Sequence, residues 1–447
     1  MTCEQVQRQL VALMQEELAD PEREPVEAHV EQCNSCRALR NDWAAMLAPA
    51  DGGDPQPVTL VNMLLQQTIL DGASDAHMVP GPEGGTVQYR VDGVLRDAMP
   101  LSGETYNAVV ARLKIMAECD VAEKRLPQDG RINIRFKQKD YDLRLSTLPC
   151  LHGESAVLRI FPQDEPLPTW DRQGLSQEHQ ERLRDFMATP TGIVVFSGAT
   201  GSGKTTTMYS AVQTLDHEAL NIVTVEDPVD HRFAGLTQVH VNRKRGLTPA
   251  AWIAELLQCD PDVLVLGEVK DRETAEAVAE AALSGHLCVT QLHAADSLEA
   301  LRRFAELCGD PARALPTIVG VVGQRLVRRV CEACSQEDSP SLADLARLGL
   351  PEGGAGLRRG AGCEQCRGTG YHGRSGLFEV LRPDEDLRRL VLECTDLERL
   401  RDHLLARGWR ALLDDGRDKV LTGVTSVAEV LRVIGDLLPV SVAQTMS

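Results

Sequence analysis

No apolar run in this 447-residue sequence approaches the length that crosses a bilayer, and no charged-then-apolar segment opens it. A chain lacking both is expected to stay in the cytoplasm. Positive charge is also in short supply: 47 Lys and Arg face 66 Asp and Glu, a formal net charge of −19. An acidic surface repels phosphate backbones. That argues against a general nucleic-acid binder and against a DNA motor, while docking onto a basic protein face stays open. Repeats and low-complexity tracts are absent. With 43% hydrophobic and 25% charged residues, the chain fits a soluble globular protein of two to four domains.

Cysteine is plentiful: 13, an odd number. In a cytosolic chain, clustered cysteines point to metal rather than disulfides. Cys331-x₂-Cys334 and Cys363-x₂-Cys366 form two knuckles. Together they offer the four thiolates that tetrahedral Zn²⁺ requires, and no position is left for water, so the site is read as structural. A redox or packing role is the alternative. "HVEQCNSCR" supplies His29, Cys33 and Cys36. Cys3 can return as a fourth ligand if the first helix packs on the second. A helical hairpin held by packing alone is the alternative there. Cys119, Cys150, Cys259, Cys288, Cys308 and Cys394 are scattered and read as small apolar residues.

Composition divides the chain. Residues 1–48 read as a small helical zinc-finger-like module and 49–57 as a Gly/Pro-rich linker. Residues 58–165 mix strand-like stretches such as "TVQYRVDGVL" and "YDLRLSTL" with one helical stretch, predicting an α+β domain. A Pro-rich linker is expected over 166–175. Residues 176–330 alternate apolar strands with helices, the pattern of an α/β core. The Gly/Cys-rich stretch 331–376 is expected as a zinc subdomain, and 377–447 as a helical tail.

"GATGSGKTT" runs Gly198, Ala199, Thr200, Gly201, Ser202, Gly203, Lys204, Thr205, Thr206 and satisfies G-x-x-x-x-G-K-[ST]. Its glycines let backbone N–H groups cradle phosphate oxygens. Lys204 reaches the β/γ-phosphates, and the Thr205 hydroxyl can ligate Mg²⁺. The helix that follows adds its positive N-terminal dipole. Glu268 ends the apolar strand "DVLVLGE", the place for a carboxylate that orients water or metal. Glu226 and Asp227 end another, "NIVTVED". A lone strand-end carboxylate is as readily a helix cap. Two of them downstream of a P-loop favour function. His286 and His293 flank "LCVTQL" and are expected either as structural histidines or as a pair that senses the γ-phosphate.

"GATGSGKTTTMY", "NIVTVEDPVD", "DPDVLVLGEVKDRETAEAVAEAALSGHL" and the following "LH" resemble the Walker A, Asp box, Walker B and His box of the ATPases of type II secretion and type IV pilus assembly. "RLPQDGRI" and "YDLRLSTLPCLHGESAVLRI" resemble the domain before the motor in that family. "GCEQCRGTGYHGRSGLFEVL" and "LLDDGRDKVLTGVTSVAEVL" resemble its zinc region and tail. The resemblance covers roughly residues 58–440 and implies a RecA-like core hydrolysing ATP in a homo-hexamer. It further implies attachment to inner-membrane platform and assembly proteins, so that the protein is peripheral to the membrane through its partners. It assigns Glu226 to the Asp box, Glu268 to Walker B, and His286 with His293 to the His box. Arg131 and Arg144 match arginines that the preceding domain brings to the nucleotide. A planar, permanently charged fork suits phosphate, although a solvated strand face is the plainer reading of both. Residues 1–45 resemble the zinc domain of anti-sigma factors.

The sequence also departs from the family. Ala254 and Gln258 stand where arginines are usual, Lys270 replaces arginine in "GEVKD", and Gln291 and Ala294 stand in "TQLHA" where "STLHT" is usual. The main expectation is an ATP-driven secretion or pilus motor using ATP, Mg²⁺ and Zn²⁺. One alternative is a nucleotide-gated ring that turns over slowly; another, from the front module alone, is a zinc-dependent transcriptional regulator.

Overall fold

The computed structural model describes residues 6, 20–34, 36, 37, 40, 57–162, 166–227, 229, 231–241, 248–351 and 356–437. Cys3, the expected first helix apart from Val6, and residues 49–56 of the expected linker lie outside them. The chain divides into two compact units, residues 1–165 with the short segment 361–370, and residues 166–360 with 371–447.

In the first unit, helix α1 (Asp20–Gln32) precedes α2 (Pro57–Leu70). A six-stranded sheet follows, built from β1 (Asp75–Pro80), β2 (Gly84–Val91), β3 (Val94–Ser102), β4 (Gln128–Phe136), β5 (Lys139–Cys150) and β6 (Gly153–Pro162). Helix α3 (Gly103–Met116) lies between β3 and β4 in sequence. The strand order is β3-β2-β1-β6-β5-β4, antiparallel throughout. Strand alternation sorts the two faces. Leu143 and Leu145 of β5 are fully buried with Leu60, Val61, Val109 and Leu158, while Arg144 points to the other face. Asp92 and Gly93, both at positive φ (49° and 81°), close the β2–β3 hairpin. Their shared left-handed geometry matches the right-handed twist of the strands.

The second unit carries α4 (Gln177–Met187), β7 (Gly192–Ser197), α5 (Lys204–Val212), β8 (Ile222–Glu226), β9 (Thr237–His240), α6 (Pro249–Leu256), β10 (Val263–Glu268), α7 (Arg272–Leu283), β11 (Leu287–Leu292), α8 (Ser297–Leu307) and β12 (Ile318–Val330). A small ladder of β13 (Ser335–Glu337) and β14 (Arg358–Gly360) follows. Then come β15 (Tyr371–Leu381), α9 (Glu385–Glu393), α10 (Leu397–Ala406), α11 (Leu412–Leu421) and α12 (Val427–Ile434). The main sheet has the order β15-β12-β7-β11-β10-β8-β9 and is parallel except for β15. Its central strands are buried on both faces, as parallel sheets require. Val195, Val225 and Leu264 join one apolar cluster, and Val194, Phe196 and Val265 the other.

Two expected boundaries shift. The stretch 166–175 holds a helical turn at Trp170–Gln173, and Trp170 is buried in the core. Its prolines suggested a linker, but the indole's apolar area decides its place. Residue 376 falls inside β15, whose second half, including Leu377, Phe378 and Val380, is core strand. Glycines and cysteines upstream disguised that strand as part of the zinc subdomain.

Candidate functional site

The P-loop joins β7 to α5, at the carboxyl edge of the parallel sheet where open α/β folds bind ligands. Gly198, Gly201 and Gly203 adopt φ of 151°, 76° and 86°. A Cβ on Gly198 would collide with the Gln324 carbonyl oxygen, and one on Gly203 would sit 2.7 Å from Gln324 Nε2. Gln324, on β12, is thus the floor of the loop, a role no motif signalled. Lys204 folds back and donates to the Gly198 and Ala199 carbonyls at 2.8 and 2.9 Å. Burial pushes its pKa below the usual lysine value. Glu268 opposes that shift, and Arg325 adds to it.

A cavity of about 200 Å³ opens beside the loop, and Thr205, Glu226, Glu268, Lys270 and Gln291 are among its lining residues. Glu226 ends β8 and is 7% exposed. Thr224 Oγ1 and Gln238 Nε2 donate to its Oε1 at 2.7 and 3.0 Å, fixing the carboxylate. Glu268 ends β10, half-exposed, with Lys270 Nζ 3.5 Å from its Oε2. The lysine that replaces a family arginine therefore lies against the carboxylate itself. Asp227 is exposed. Ala254 on α6 and Gln258 in the 3₁₀ turn after it are both exposed.

The histidine pair needs correction. His293 follows β11 at the P-loop edge, and its carbonyl accepts from Arg303 Nη1 at 2.8 Å. His286 precedes the same strand, and its carbonyl accepts from the N–H of Gly192, the first residue of β7. A six-residue strand separates them by roughly 20 Å. His286 is thus at the opposite edge of the sheet, with Nδ1 2.9 Å from the Ala281 carbonyl oxygen. Nearness in sequence suggested one site; the extended backbone between them prevents it.

In the first unit, Arg131 and Arg144 are direct cross-strand partners on β4 and β5, and Arg144 is in turn opposite Arg159 of β6. Arg131 is exposed, and Arg144 lies over the Phe161 ring at 4.5 Å. Arg159 pairs with Asp75 at 2.8 Å. Like charges placed opposite one another destabilise a sheet; here Asp75 offsets Arg159, and Arg144 is stacked on the Phe161 ring. The alternation of "VLRIF" shows Arg159 in the sequence, but only the register of β5 and β6 aligns it with the other two.

The ligand atoms of Cys331, Cys334, Cys363 and Cys366 all lie within 4.8 Å of one another. Cys363 Sγ and Cys366 Sγ are 3.7 Å apart. Four Zn–S bonds of about 2.3 Å in a tetrahedron put sulfurs about 3.8 Å apart. Backbone N–H groups of Cys363 and Gly370 point at Cys366 Sγ at 3.1 and 3.2 Å, as suits a thiolate. The donor set fits zinc. His29, Cys33 and Cys36 form a second such group, again within 4.8 Å. Cys36 is buried in the same apolar cluster as Leu60 and Val61 of α2. Of the six scattered cysteines, Cys288 and Cys308 are buried and Cys150 and Cys259 exposed.

Residues 52–432 match the family of the type II/IV secretion system protein, and residues 3–37 match a zinc-finger family. The chain is 39% identical to the type II secretion system protein E of Pseudomonas aeruginosa, over 85% of this chain and 76% of that protein. It is also 39% identical to the type IV pilus assembly ATPase PilB of Thermus thermophilus, over 83% of this chain but 42% of that protein. The fold resembles the Legionella pneumophila ATPase DotB, with TM-score 0.62 and 22% identity over 86% of this chain and 96% of that one. A match spanning most of the chain, over a P-loop with carboxylates on the neighbouring strand ends, settles its membership: the chain belongs to the type II/IV secretion system protein family.

Proposed function

We propose that the protein hydrolyses ATP as a hexameric motor that drives type II secretion or type IV pilus assembly. The observation that carries this reading is the convergence of the P-loop, Glu226 and Glu268 on one cavity at the carboxyl edge of the parallel sheet. Lys204 and the loop N–H groups bind the phosphates, and Thr205 with the nearby carboxylates would hold Mg²⁺, which neutralises phosphate charge. Glu268 orients the attacking water, with Glu226 beside it, and His293 stands at the γ-phosphate end. Arg131 and Arg144 supply cations to the nucleotide in the assembled ring. Cys331, Cys334, Cys363 and Cys366 would hold a Zn²⁺ that staples the Gly-rich stretch, and His29, Cys33 and Cys36 would hold a second that staples the front module. That module docks the motor on inner-membrane partners; no nucleic acid is involved. The relatives favour neither a slow regulatory ring nor a transcriptional regulator.

Lys204→Ala should abolish ATP binding, and Glu268→Gln should bind ATP yet lose turnover by at least a hundredfold. Both are measured on the purified ring by nucleotide binding and phosphate release. Wild-type turnover in Glu268→Gln removes that residue from the mechanism.

A further inference from the structure

Gln291 lies on β11, 7% exposed, in register with Glu268 of β10. Its two amide atoms have different neighbours. Nε2 faces Met208 Sδ at 3.6 Å, and Oε1 faces the Thr205 hydroxyl at 3.2 Å. A thioether accepts but cannot donate, so the nitrogen belongs on the sulfur and the oxygen is left for Thr205. The strand backbone holds this arrangement, because the Gln291 carbonyl takes the Val269 N–H at 2.9 Å.

A hydroxyl that ligates a cation offers a lone pair to it and must send its own proton elsewhere. We propose that Gln291 is a positioning residue for the metal: its Oε1 accepts the hydrogen bond from the Thr205 hydroxyl and so turns the hydroxyl lone pairs toward Mg²⁺. This rests on the reading of Thr205 as the metal-facing residue. The threonine usual at this position is two heavy-atom bonds shorter than glutamine, so this chain supplies a longer, directional acceptor in its place. The amide is neutral, so it orients Thr205 without adding a third negative charge to Glu226 and Glu268. The proton stays on Thr205 Oγ1 throughout, and no bond forms or breaks.

The sign of the effect distinguishes orientation from packing. Gln291→Met keeps the length and exchanges the amide oxygen for a thioether, a much weaker acceptor, and Gln291→Leu removes the acceptor altogether; Gln291→Glu keeps the acceptor and adds charge. Mn²⁺ binding to the ADP complex of the full chain is titrated by electron paramagnetic resonance, with ADP affinity in the absence of metal measured alongside. Gln291→Met should bind Mn²⁺ about tenfold more weakly at unchanged metal-free ADP affinity, the scale on which partners of metal ligands act. Gln291→Glu should bind it several-fold more tightly. If Gln291→Met fails to fold, Gln291→Leu takes its place. Variants that shift in the same direction, or not at all while Thr205→Val weakens Mn²⁺ binding, overturn the proposal and leave the Thr205 reading intact. An unchanged Mn²⁺ affinity in Thr205→Val overturns both.

Discussion

Glu379, on β15 and 1% exposed, accepts the Leu412 backbone N–H at 2.9 Å. Its other oxygen accepts the Ser297 N–H, so one carboxylate satisfies the first residues of α8 and α11 together. Asp296, one residue earlier, caps α8 through the Glu299 N–H and pairs with Arg401 of α10. The segment between His293 and α8 is therefore anchored to the helical tail by two acidic residues.

This arrangement predicts a pH dependence. Burial pushes the Glu379 pKa from 4.5 up to about 7, Asp296 pushes the same way, and the two N–H groups oppose it. Between those values the folded chain keeps a proton that the unfolded chain has released. Stability therefore falls as pH rises across that window, by on the order of 3 kcal/mol at most. Glu379→Gln removes the titration. Urea unfolding of both proteins from pH 5 to pH 8 should show the wild type losing stability relative to the variant. Parallel curves would dismiss Glu379 as the titrating group.

The P-loop glycines should rank by what surrounds them. A methyl added at Gly201 would find nothing within 4 Å, so Gly201→Ala meets only the left-handed backbone penalty, about 1 kcal/mol. Gly203→Ala meets in addition the movable amide of Gln324, and Gly198→Ala meets a fixed backbone carbonyl. Loss of stability and of ATP affinity should grow in the order Gly201, Gly203, Gly198. Denaturant midpoints and nucleotide binding check the ranking, and a worst result at Gly201 would reverse the steric argument.

Much of this site is legible in the sequence because its chemistry follows local order. A P-loop needs a strand, a glycine turn and a helix in succession, and residues 192–212 supply all three. Glu226 and Glu268 each end an apolar strand, which the residue pattern alone displays. What depends on pairing between distant strands is not legible. Arg159 joins Arg131 and Arg144 only through the register of three strands, and Gln291 reaches Thr205 only because β11 lies beside β7. Conversely, His286 and His293 are close in sequence and far apart in space, since an extended strand carries them to opposite edges. Glu379 gave no signal at all: one acidic residue in an apolar strand reads as a surface position until two helix ends are packed against it.

The two sulfur-rich groups predict a metal count. Four thiol ligands at zinc-compatible spacing and a His/Cys/Cys set on and just after one helix imply about two zinc ions per chain. Cys363→Ser should remove one, and Cys33→Ser the other. The consequences should differ because the surroundings differ. Cys36 shares an apolar cluster with α2 and the six-stranded sheet, so losing the front metal should lower the unfolding temperature of the first unit. Cys363 and Cys366 lie in a short turn next to β14 and β15, so losing that metal should expose the Gly-rich turn to proteolysis first. Elemental analysis gives the count, and limited proteolysis with mass spectrometry locates the cut. Equal zinc content in wild type and Cys33→Ser would mean that His29, Cys33 and Cys36 hold no metal, leaving the front module to packing alone.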